Sequence, residues 1–375
     1  MNLAGDNGRQ KAMIAMSGGV DSSVAAALMK RQGYDCIGAM MKLYENKDIV
    51  LEKGNLDIEG GGKTCCSADD AADAAAVAGK LDIPFYVFRF TEAFRCQVME
   101  RFVNSYVNGE TPNPCIDCNR YMKFEKLYQQ AKMLECEKIA TGHYARINYD
   151  AETGRWQMKK AIDRTKDQSY VLYSLTQEQL SHVCFPLGEL TKEEVRGLAQ
   201  EYGFFNAEKR DSQDICFVPD GHYEKFIEQY RGEKVPEGNF VSEDGEVLGK
   251  HKGIIYYTVG QRKGLGIAAA FPYYVKEIRP ESNEVILGKH DSLFQRTLLA
   301  KDVNWVSIPG PDKEIRVQAK IRYRHKAEYA TAQMRKDGLL RVTFDKPQRA
   351  ITKGQSVVLY DGELVLGGGK ICGTE

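Results

Sequence analysis

The sequence contains no uninterrupted apolar run of about 18 residues, the length that a membrane-spanning helix requires. Residues 1–13 also lack the apolar stretch of a signal peptide, so we expect a cytoplasmic protein that does not associate with a membrane. A net charge is absent as well, because 52 Lys and Arg balance 52 Asp and Glu. With 375 residues, of which 43% are hydrophobic, the chain is expected to form two or three globular domains.

The balanced charge is unevenly distributed along the chain. Residues 289–375 contain 16 Lys and Arg against 10 Asp and Glu, and the rest of the chain offsets this positive excess. The asymmetry indicates that the C-terminal part contacts a polyanion, although random scatter between domains is an alternative. Residues 313–326 alternate polar and apolar positions, which predicts a half-buried strand with a basic outer face. An edge strand that carries charge to prevent aggregation would show the same pattern.

The ten cysteines form no repeated Cys-x-x-Cys pair. In a reducing compartment they are interpreted as thiols, metal ligands or redox catalysts rather than as structural disulfides. Cys115 and Cys118 make one such pair, just before a helix predicted over residues 121–134, whose N-terminal dipole would lower the pKa of the Cys118 thiol. The pattern favours catalytic thiols and leaves metal ligation as an alternative. No role is assigned to Cys65 or Cys66.

Short apolar runs alternate with helical patterns over the first 145 or so residues. This alternation predicts a parallel sheet covered by helices. From about residue 235 onward, turn signals separate short alternating runs, as is typical of small β domains or barrels.

Residues 17–23, Ser-Gly-Gly-Val-Asp-Ser-Ser, lie between a strand predicted over 11–16 and a helix predicted over 22–32. Glycines allow a tight turn, and backbone N–H groups at a helix N-terminus bind anions. No lysine follows this loop, unlike the Walker loop, whose lysine reaches the terminal phosphates. A loop that holds pyrophosphate without that lysine suits adenylation, although a strand–helix turn without a ligand is the alternative. Residues 60–64 do not complete a Walker loop either, because Asp57 replaces its first glycine, and we expect a flexible loop there.

Together these motifs resemble the tRNA-specific 2-thiouridylases, bacterial enzymes that place sulfur on the wobble uridine of tRNA. The resemblance covers nearly the whole chain and rests on residues 15–23, 111–114, 118–119, 141–144, 166–170, 212–217, 257–266 and 349–356. It implies an α/β fold that begins with a nucleotide α-hydrolase-like (PP-loop) parallel-sheet domain over residues 1–220. A small central domain over 221–288 and a tRNA-contacting C-terminal β-barrel over 289–375 would follow.

The resemblance implies a tRNA-uridine 2-sulfurtransferase that uses ATP and Mg²⁺. Uracil O2 is adenylated, sulfur from a persulfide on Cys216 replaces it, and the nucleophile Cys118 closes a disulfide with Cys216. By itself, Cys216 would be interpreted as a buried structural thiol. The implied partners are tRNA and a cysteine desulfurase or sulfur-relay protein, and we expect a monomer.

Binding positions follow from the same resemblance. The positions that match the ATP site are Ala15, Met16, Ser17, Gly18, Gly19, Val20, Asp21, Ser22, Met41 and Gly142. Those that match the segment facing the target base are Asn113, Pro114 and Cys115. Those that match tRNA contacts are His143, Lys166, Asp167, Gln168, Arg322, Tyr323 and Gln355.

One position departs from the family pattern. Many members have Asp where this chain has Cys115, and that Asp is a proposed acid/base or ligand. Two routes therefore stay open: a persulfide route in which a thiol transfers the proton, or an iron–sulfur cluster held by Cys115, Cys118 and Cys216. Rival interpretations are another adenylating enzyme of this loop class, such as an amidotransferase synthetase or the lysidine synthetase, and a tRNA-binding or sulfur-relay module without catalysis.

Overall fold

The computed structural model describes residues 9–45, 68–209 and 215–375. It divides into two compact units, one formed by Met1–Gln97 with Cys115–Gly221 and the other by Val98–Pro114 with His222–Glu375. The loop predicted over residues 60–64, Cys65, Cys66 and residues 212–214 lie outside the described residues. Within the described ranges, no helix has both the length and the apolar character needed to cross a membrane.

The helices alternate with strands in the N-terminal half and are rare in the C-terminal half. They are α1 (Val20–Arg31), α2 (Ala68–Lys80), α3 (Thr91–Phe94), α4 (Glu100–Val107), α5 (Pro114–Asp117), α6 (Leu127–Met133), α7 (Ser169–Leu172), α8 (Gln177–His182), α9 (Lys192–Glu201) and α10 (Tyr223–Arg231), with π-helical segments at Arg95–Met99 and Cys118–Lys126.

The first unit contains a five-stranded parallel sheet in the order β3-β2-β1-β4-β7. Its strands are β1 (Lys11–Ala15), β2 (Asp35–Lys42), β3 (Phe85–Arg89), β4 (Lys138–Thr141) and β7 (Val183–Cys184), and an antiparallel hairpin is formed by β5 (Ala145–Asp150) and β6 (Arg155–Lys160). Ile14 packs in the cluster that contains α1 and α9, whereas Met13 packs against α6. Both faces of the central strand β1 are thus covered, and its residues Ala12, Met13 and Ile14 are apolar and fully buried. The predicted helix-covered parallel sheet is confirmed.

The second unit contains a four-stranded sheet in the order β10-β11-β8-β9 and a closed antiparallel barrel in the order β12-β15-β14-β13-β16-β17, with β17 paired to β12. The strands are β8 (Gly238–Ser242), β9 (Val247–His251), β10 (Tyr274–Arg279), β11 (Glu284–Gly288), β12 (Phe294–Trp305), β13 (Ile315–Lys320), β14 (Glu328–Met334), β15 (Leu340–Arg349), β16 (Ser356–Asp361) and β17 (Leu364–Thr374). Across the barrel wall, Val317 pairs with Ala330 and Ala330 with Phe344, and all three are buried. The predicted C-terminal barrel is confirmed.

Two sequence predictions in these elements are wrong. The helix predicted from residue 121 begins at Pro114, because proline fits the first helical position after Asn113, a residue type favoured at the N-cap. Cys118 therefore lies in the second turn of this helix rather than before it. The strand predicted over residues 313–326 ends at Lys320, and the carbonyl oxygen of Arg322 accepts a bond from His325 N at 3.0 Å, closing a turn.

Candidate active site

The loop between β1 and α1 has a fixed shape. Gly18 adopts a left-handed conformation with φ +72°, and a Cβ there would collide with the carbonyl oxygen of Asp70 at the start of α2. Ser22 Oγ accepts a bond from Ser17 N at 3.1 Å and donates to the Gly19 carbonyl oxygen at 3.0 Å. Gly19 is the N-cap of α1. The loop thus leads directly into a helix N-terminus, where backbone N–H groups favour an anion.

Residues that follow α9 hold the carbonyl of Gly18. Asn206 Nδ2 donates to this oxygen at 3.1 Å and to Ser23 Oγ at 3.0 Å, and Lys209 Nζ donates to it at 3.3 Å. Lys209 also contacts Asp70 and Asp73, each at 2.7 Å. Burial disfavours the Lys209 cation, but the bonds to the two carboxylates outweigh burial and raise its pKa. The sequence did not reveal Asn206 or Lys209, because no local pattern marks a contact across 188 residues.

The other predicted nucleotide-binding positions surround this loop. A Cβ on Gly142 would lie 2.8 Å from Ser22 N, so the end of β4 lies against the first turn of α1. Met16 and Val20 are buried in the core, and Met41 packs on the opposite face of the sheet. The carboxyl ends of β1, β2 and β4 therefore meet at the loop, which is where ligands bind in open α/β sheets.

The carboxylate of Asp21, in the first turn of α1, forms an ion pair and accepts a hydrogen bond from a hydroxyl group. Lys192 Nζ lies 2.7 Å from its Oδ1 and 2.8 Å from its Oδ2, and the Tyr144 hydroxyl donates to Oδ1 at 2.8 Å. The Lys192 ammonium group and the Tyr144 hydroxyl are thus both bound to a side chain in the first turn of the helix that begins at the loop.

His143 is 7% exposed. Its Nδ1 lies 2.7 Å from Thr141 Oγ1, and its Nε2 lies 3.4 Å from Lys123 Nζ. Burial first, and the charge of Lys123 second, hold the pKa of His143 well below its ordinary value. The imidazole is therefore neutral at physiological pH.

Asp167 and Gln168 bind nearby backbone groups. Asp167 Oδ1 accepts from Ala161 N at 3.1 Å, and its Oδ2 accepts from Ser169 Oγ at 2.9 Å. Gln168 Oε1 accepts from Tyr144 N at 2.9 Å. These two side chains fix the turn before α7, and the neighbouring Lys166 is half-buried.

The three candidate thiols belong to the first unit. Cys115 is exposed, whereas Cys118, the first residue of the π-helical segment, and Cys216 are half-buried. The carbonyl oxygen of Cys216 accepts a bond from the Tyr44 hydroxyl at 2.9 Å. Within residues 9–45, 68–209 and 215–375, no three His, Cys, Asp or Glu side chains are grouped so that they would hold a metal ion.

In the second unit, the barrel holds the segment that precedes Cys115. Gln355 Nε2 donates to the Thr111 carbonyl oxygen at 2.8 Å, and Thr111 N donates to the Lys353 carbonyl oxygen at 2.8 Å. Lys370 pairs with Glu110 at 2.7 Å. Asn113 and Pro114 follow directly after this anchored segment.

The two other predicted RNA-contacting residues of this unit lie in the turn after β13. Arg322 Nη1 donates to the Arg349 carbonyl oxygen at 3.3 Å, and Tyr323 is exposed.

Three family models match the chain. A tRNA methyl transferase HUP domain matches residues 10–220, a tRNA methyl transferase PRC-barrel domain matches residues 224–289, and an aminomethyltransferase beta-barrel domain matches residues 295–371.

Curated relatives match over nearly their whole length. The chain is 50% identical to the tRNA-specific 2-thiouridylase MnmA of Clostridioides difficile, over 96% of this chain and 98% of that protein. It is 50% identical to the protein of the same name from Acetivibrio thermocellus, over 97% of this chain and 99% of that protein. Among solved structures, a 4-thiouridine synthetase–RNA complex with bound ATP matches with 18% identity and a TM-score of 0.36, over 59% of this chain and 50% of that chain.

Proposed function

The chain belongs to the tRNA-specific 2-thiouridylase family and is a tRNA-uridine 2-sulfurtransferase, and we propose that it replaces O2 of the wobble uridine with sulfur after ATP-dependent adenylation. The observation that supports the adenylation step most is the loop between β1 and α1. It combines a left-handed Gly18, an N-cap Gly19 and the exposed Ser17 at the carboxyl edge of the sheet. Backbone donors in this arrangement suit a pyrophosphate group that departs.

The residues at the loop also suit Mg²⁺. Proteins commonly bind this ion through one or two carboxylates together with substrate phosphates, rather than in an all-protein cage. Asp21 would supply such a carboxylate, and the backbone N–H groups of Gly19 to Ser22 would face the phosphates. ATP with Mg²⁺ supplies the AMP group that turns uracil O2 into a leaving group. The ten positions proposed to form this site are Ala15, Met16, Ser17, Gly18, Gly19, Val20, Asp21, Ser22, Met41 and Gly142.

The sulfur steps use two thiols. The terminal sulfur of a persulfide on Cys216 attacks C2, and AMP leaves with the former O2, so that C2 is joined to Cys216 through a disulfide. The Cys118 thiolate then attacks Cys216 Sγ, which releases the thiocarbonyl and forms a Cys118–Cys216 disulfide. A dithiol reductant reopens this disulfide. A cysteine desulfurase or sulfur-relay protein would renew the persulfide.

Cys115 is proposed to face the target base together with Asn113 and Pro114. It lies in the first turn of α5, and its side chain is exposed. Proton transfer at the base would then use this thiol. The persulfide route is the one proposed, and no step is assigned to a cluster held by Cys115, Cys118 and Cys216.

The proposed RNA contacts are His143, Lys166, Asp167, Gln168, Arg322, Tyr323 and Gln355. Exposed Tyr323 suits stacking on a base, and Arg322 suits a phosphate. For His143, Asp167, Gln168 and Gln355, the hydrogen bonds described above favour an indirect role, in which they shape the backbone that meets the tRNA. We propose a monomer that acts in the cytoplasm, where tRNA is modified.

Measuring pyrophosphate release distinguishes this function from the two alternatives, an adenylating enzyme that uses an amine and a tRNA-binding or sulfur-relay module without catalysis. We expect release from ATP only when substrate tRNA is present, and we expect Cys118→Ser to block thiolation while leaving that release measurable. A tRNA-binding or relay module would release none. An enzyme that uses an amine nucleophile would complete its reaction with Cys118→Ser.

A further inference from the structure

The loop between β1 and α1 contains no lysine, but the fold brings Lys192 to it. This residue is separated from Asp21 by 171 positions, and its Nζ lies 2.7 and 2.8 Å from the two carboxylate oxygens of Asp21. Lys192 is the first residue of α9, whose N-terminus is fixed by a capping box between Thr191 and Glu194. Its backbone N also donates to Asp163 Oδ2 at 3.0 Å. The backbone that carries the ammonium group is therefore anchored.

The ammonium group lies in a shielded position. The side chain of Lys192 is 11% exposed and that of Asp21 is 28% exposed. Nζ also lies 5.9 Å from the ring centroid of Tyr144, whose hydroxyl donates to the same carboxylate. Reduced contact with water strengthens the interaction of this cation with any nearby charge.

A carboxylate beside a phosphate-binding helix N-terminus needs a countercharge. Asp21 lies in the first turn of α1, where negative charge suits the helix but repels an incoming polyphosphate. Lys192 cancels that charge, and its four-carbon side chain allows the ammonium group to turn toward a phosphate while its backbone stays in place.

We propose that Lys192 binds the pyrophosphate portion of ATP and thus replaces the lysine that a Walker loop carries in its own sequence. The inference rests on the nucleotide step of the proposed function and is independent of the sulfur chemistry. Lys192 is a binding residue supplied by a distant helix.

Lys209 is the natural comparison, because it also reaches the loop. Its ammonium group contacts two carboxylates, Asp70 and Asp73, and the Gly18 carbonyl oxygen. This group of charges is net negative, so Lys209 holds the shape of the loop and offers no positive charge to a phosphate.

Calorimetric titration with inorganic pyrophosphate, with and without Mg²⁺, tests the proposal. Lys192→Met should weaken pyrophosphate binding on the order of 10- to 100-fold, the equivalent of one lost charge-assisted hydrogen bond. Lys192→Arg should retain most of the affinity, and the KM for ATP should rise in Lys192→Met. Lys209→Met should lower the melting temperature. Affinity in Lys192→Met within about twofold of the wild type would overturn the proposal.

The double variant Asp21→Asn with Lys192→Met separates direct binding from neutralisation. It removes the unpaired carboxylate, so any fold defect of Lys192→Met should recover in melting temperature. Titrated without Mg²⁺, so that the metal-binding role proposed for Asp21 plays no part, its pyrophosphate affinity should stay low, because the phosphate contact is still missing. Full recovery of affinity would show that Lys192 only neutralises Asp21 and would overturn direct binding. A wild-type protein that binds neither pyrophosphate nor ATP would instead contradict the proposed function itself.

Discussion

The side-chain amide of Gln355 in the barrel donates to the main-chain carbonyl of Thr111 at 2.8 Å. The neighbouring Gly354 has φ +91°, and a Cβ there would lie 2.8 Å from Glu110 Cβ, so the two segments touch without room for a side chain. The barrel therefore anchors the residues that lead along the chain to Asn113, Pro114 and Cys115.

Replacing Gln355 by Ala should lower the free energy of unfolding by about 1 kcal/mol, the usual contribution of one hydrogen bond. It should also reduce kcat for thiolation, because the segment before Cys115 loses an anchor. Gln318→Ala is the control, since Gln318 is a half-buried glutamine on β13 of the same barrel. Denaturant titration and single-turnover kinetics provide the two measurements. A loss of tRNA affinity with unchanged stability would instead indicate a direct RNA contact.

Gly18→Ala should abolish nucleotide binding. The substitution forces a left-handed conformation on Ala and places Cβ 2.9 Å from Asp70 Cα, so the loop must shift. Gly33→Ala is the control, because Gly33 has φ +92° but no atom within 4 Å of the added Cβ. The control should cost about 1 to 2 kcal/mol in stability and keep ATP affinity. Equal ATP affinities of the two variants would contradict the role assigned to the loop.

The buried His143 should make stability depend on pH. Its pKa is depressed in the folded protein, so below pH 6.5 the unfolded chain binds a proton that the folded chain does not. The contribution of neutral His143 to the free energy of unfolding is therefore fully present above pH 6.5. It is lost as the pH falls, and the free energy of unfolding then changes by up to about 1.4 kcal/mol per pH unit. His143→Gln should reduce the slope between pH 6.5 and pH 5, measured by urea unfolding. An unchanged slope would show that the pKa of His143 is not depressed in the native state.

The cysteine of the proposed site should react faster with an alkylating reagent than the cysteines of the core. Burial raises the pKa of Cys36 and of Cys136 to about 11, whereas Cys115 is exposed. Because only the thiolate reacts, iodoacetamide at pH 8 should label Cys115 and leave Cys36 and Cys136 unmodified in the native protein. Peptide mass spectrometry gives the extent of labelling at each cysteine. Labelling of the unfolded protein in urea is the control, because all thiols should then react. Rapid native labelling of Cys36 would contradict the burial described here.

Local patterns predicted much of the architecture. The loop was identified because its glycines and serines stand between an apolar run and a helical run, and the helix predicted over 22–32 forms at Val20–Arg31. The position of Cys118 was predicted wrongly, because the helix was assigned from apolar spacing and Pro114 was overlooked as its first residue. Lys192, Asn206 and Lys209 could not be found, since their partners lie more than a hundred residues away and only the folded chain brings them together.

Nucleoside mass spectrometry of tRNA after incubation with ATP, cysteine, a cysteine desulfurase, a dithiol reductant and this protein tests the central claim most directly. The wild type should convert the wobble uridine to a product in which one sulfur replaces one oxygen. Cys216→Ser and Cys118→Ser should yield none, while Cys372→Ser should match the wild type, because this thiol lies on β17 of the barrel and donates to the Leu299 carbonyl oxygen at 3.4 Å. Thiolated uridine formed at the wild-type rate by Cys216→Ser and Cys118→Ser would contradict the account.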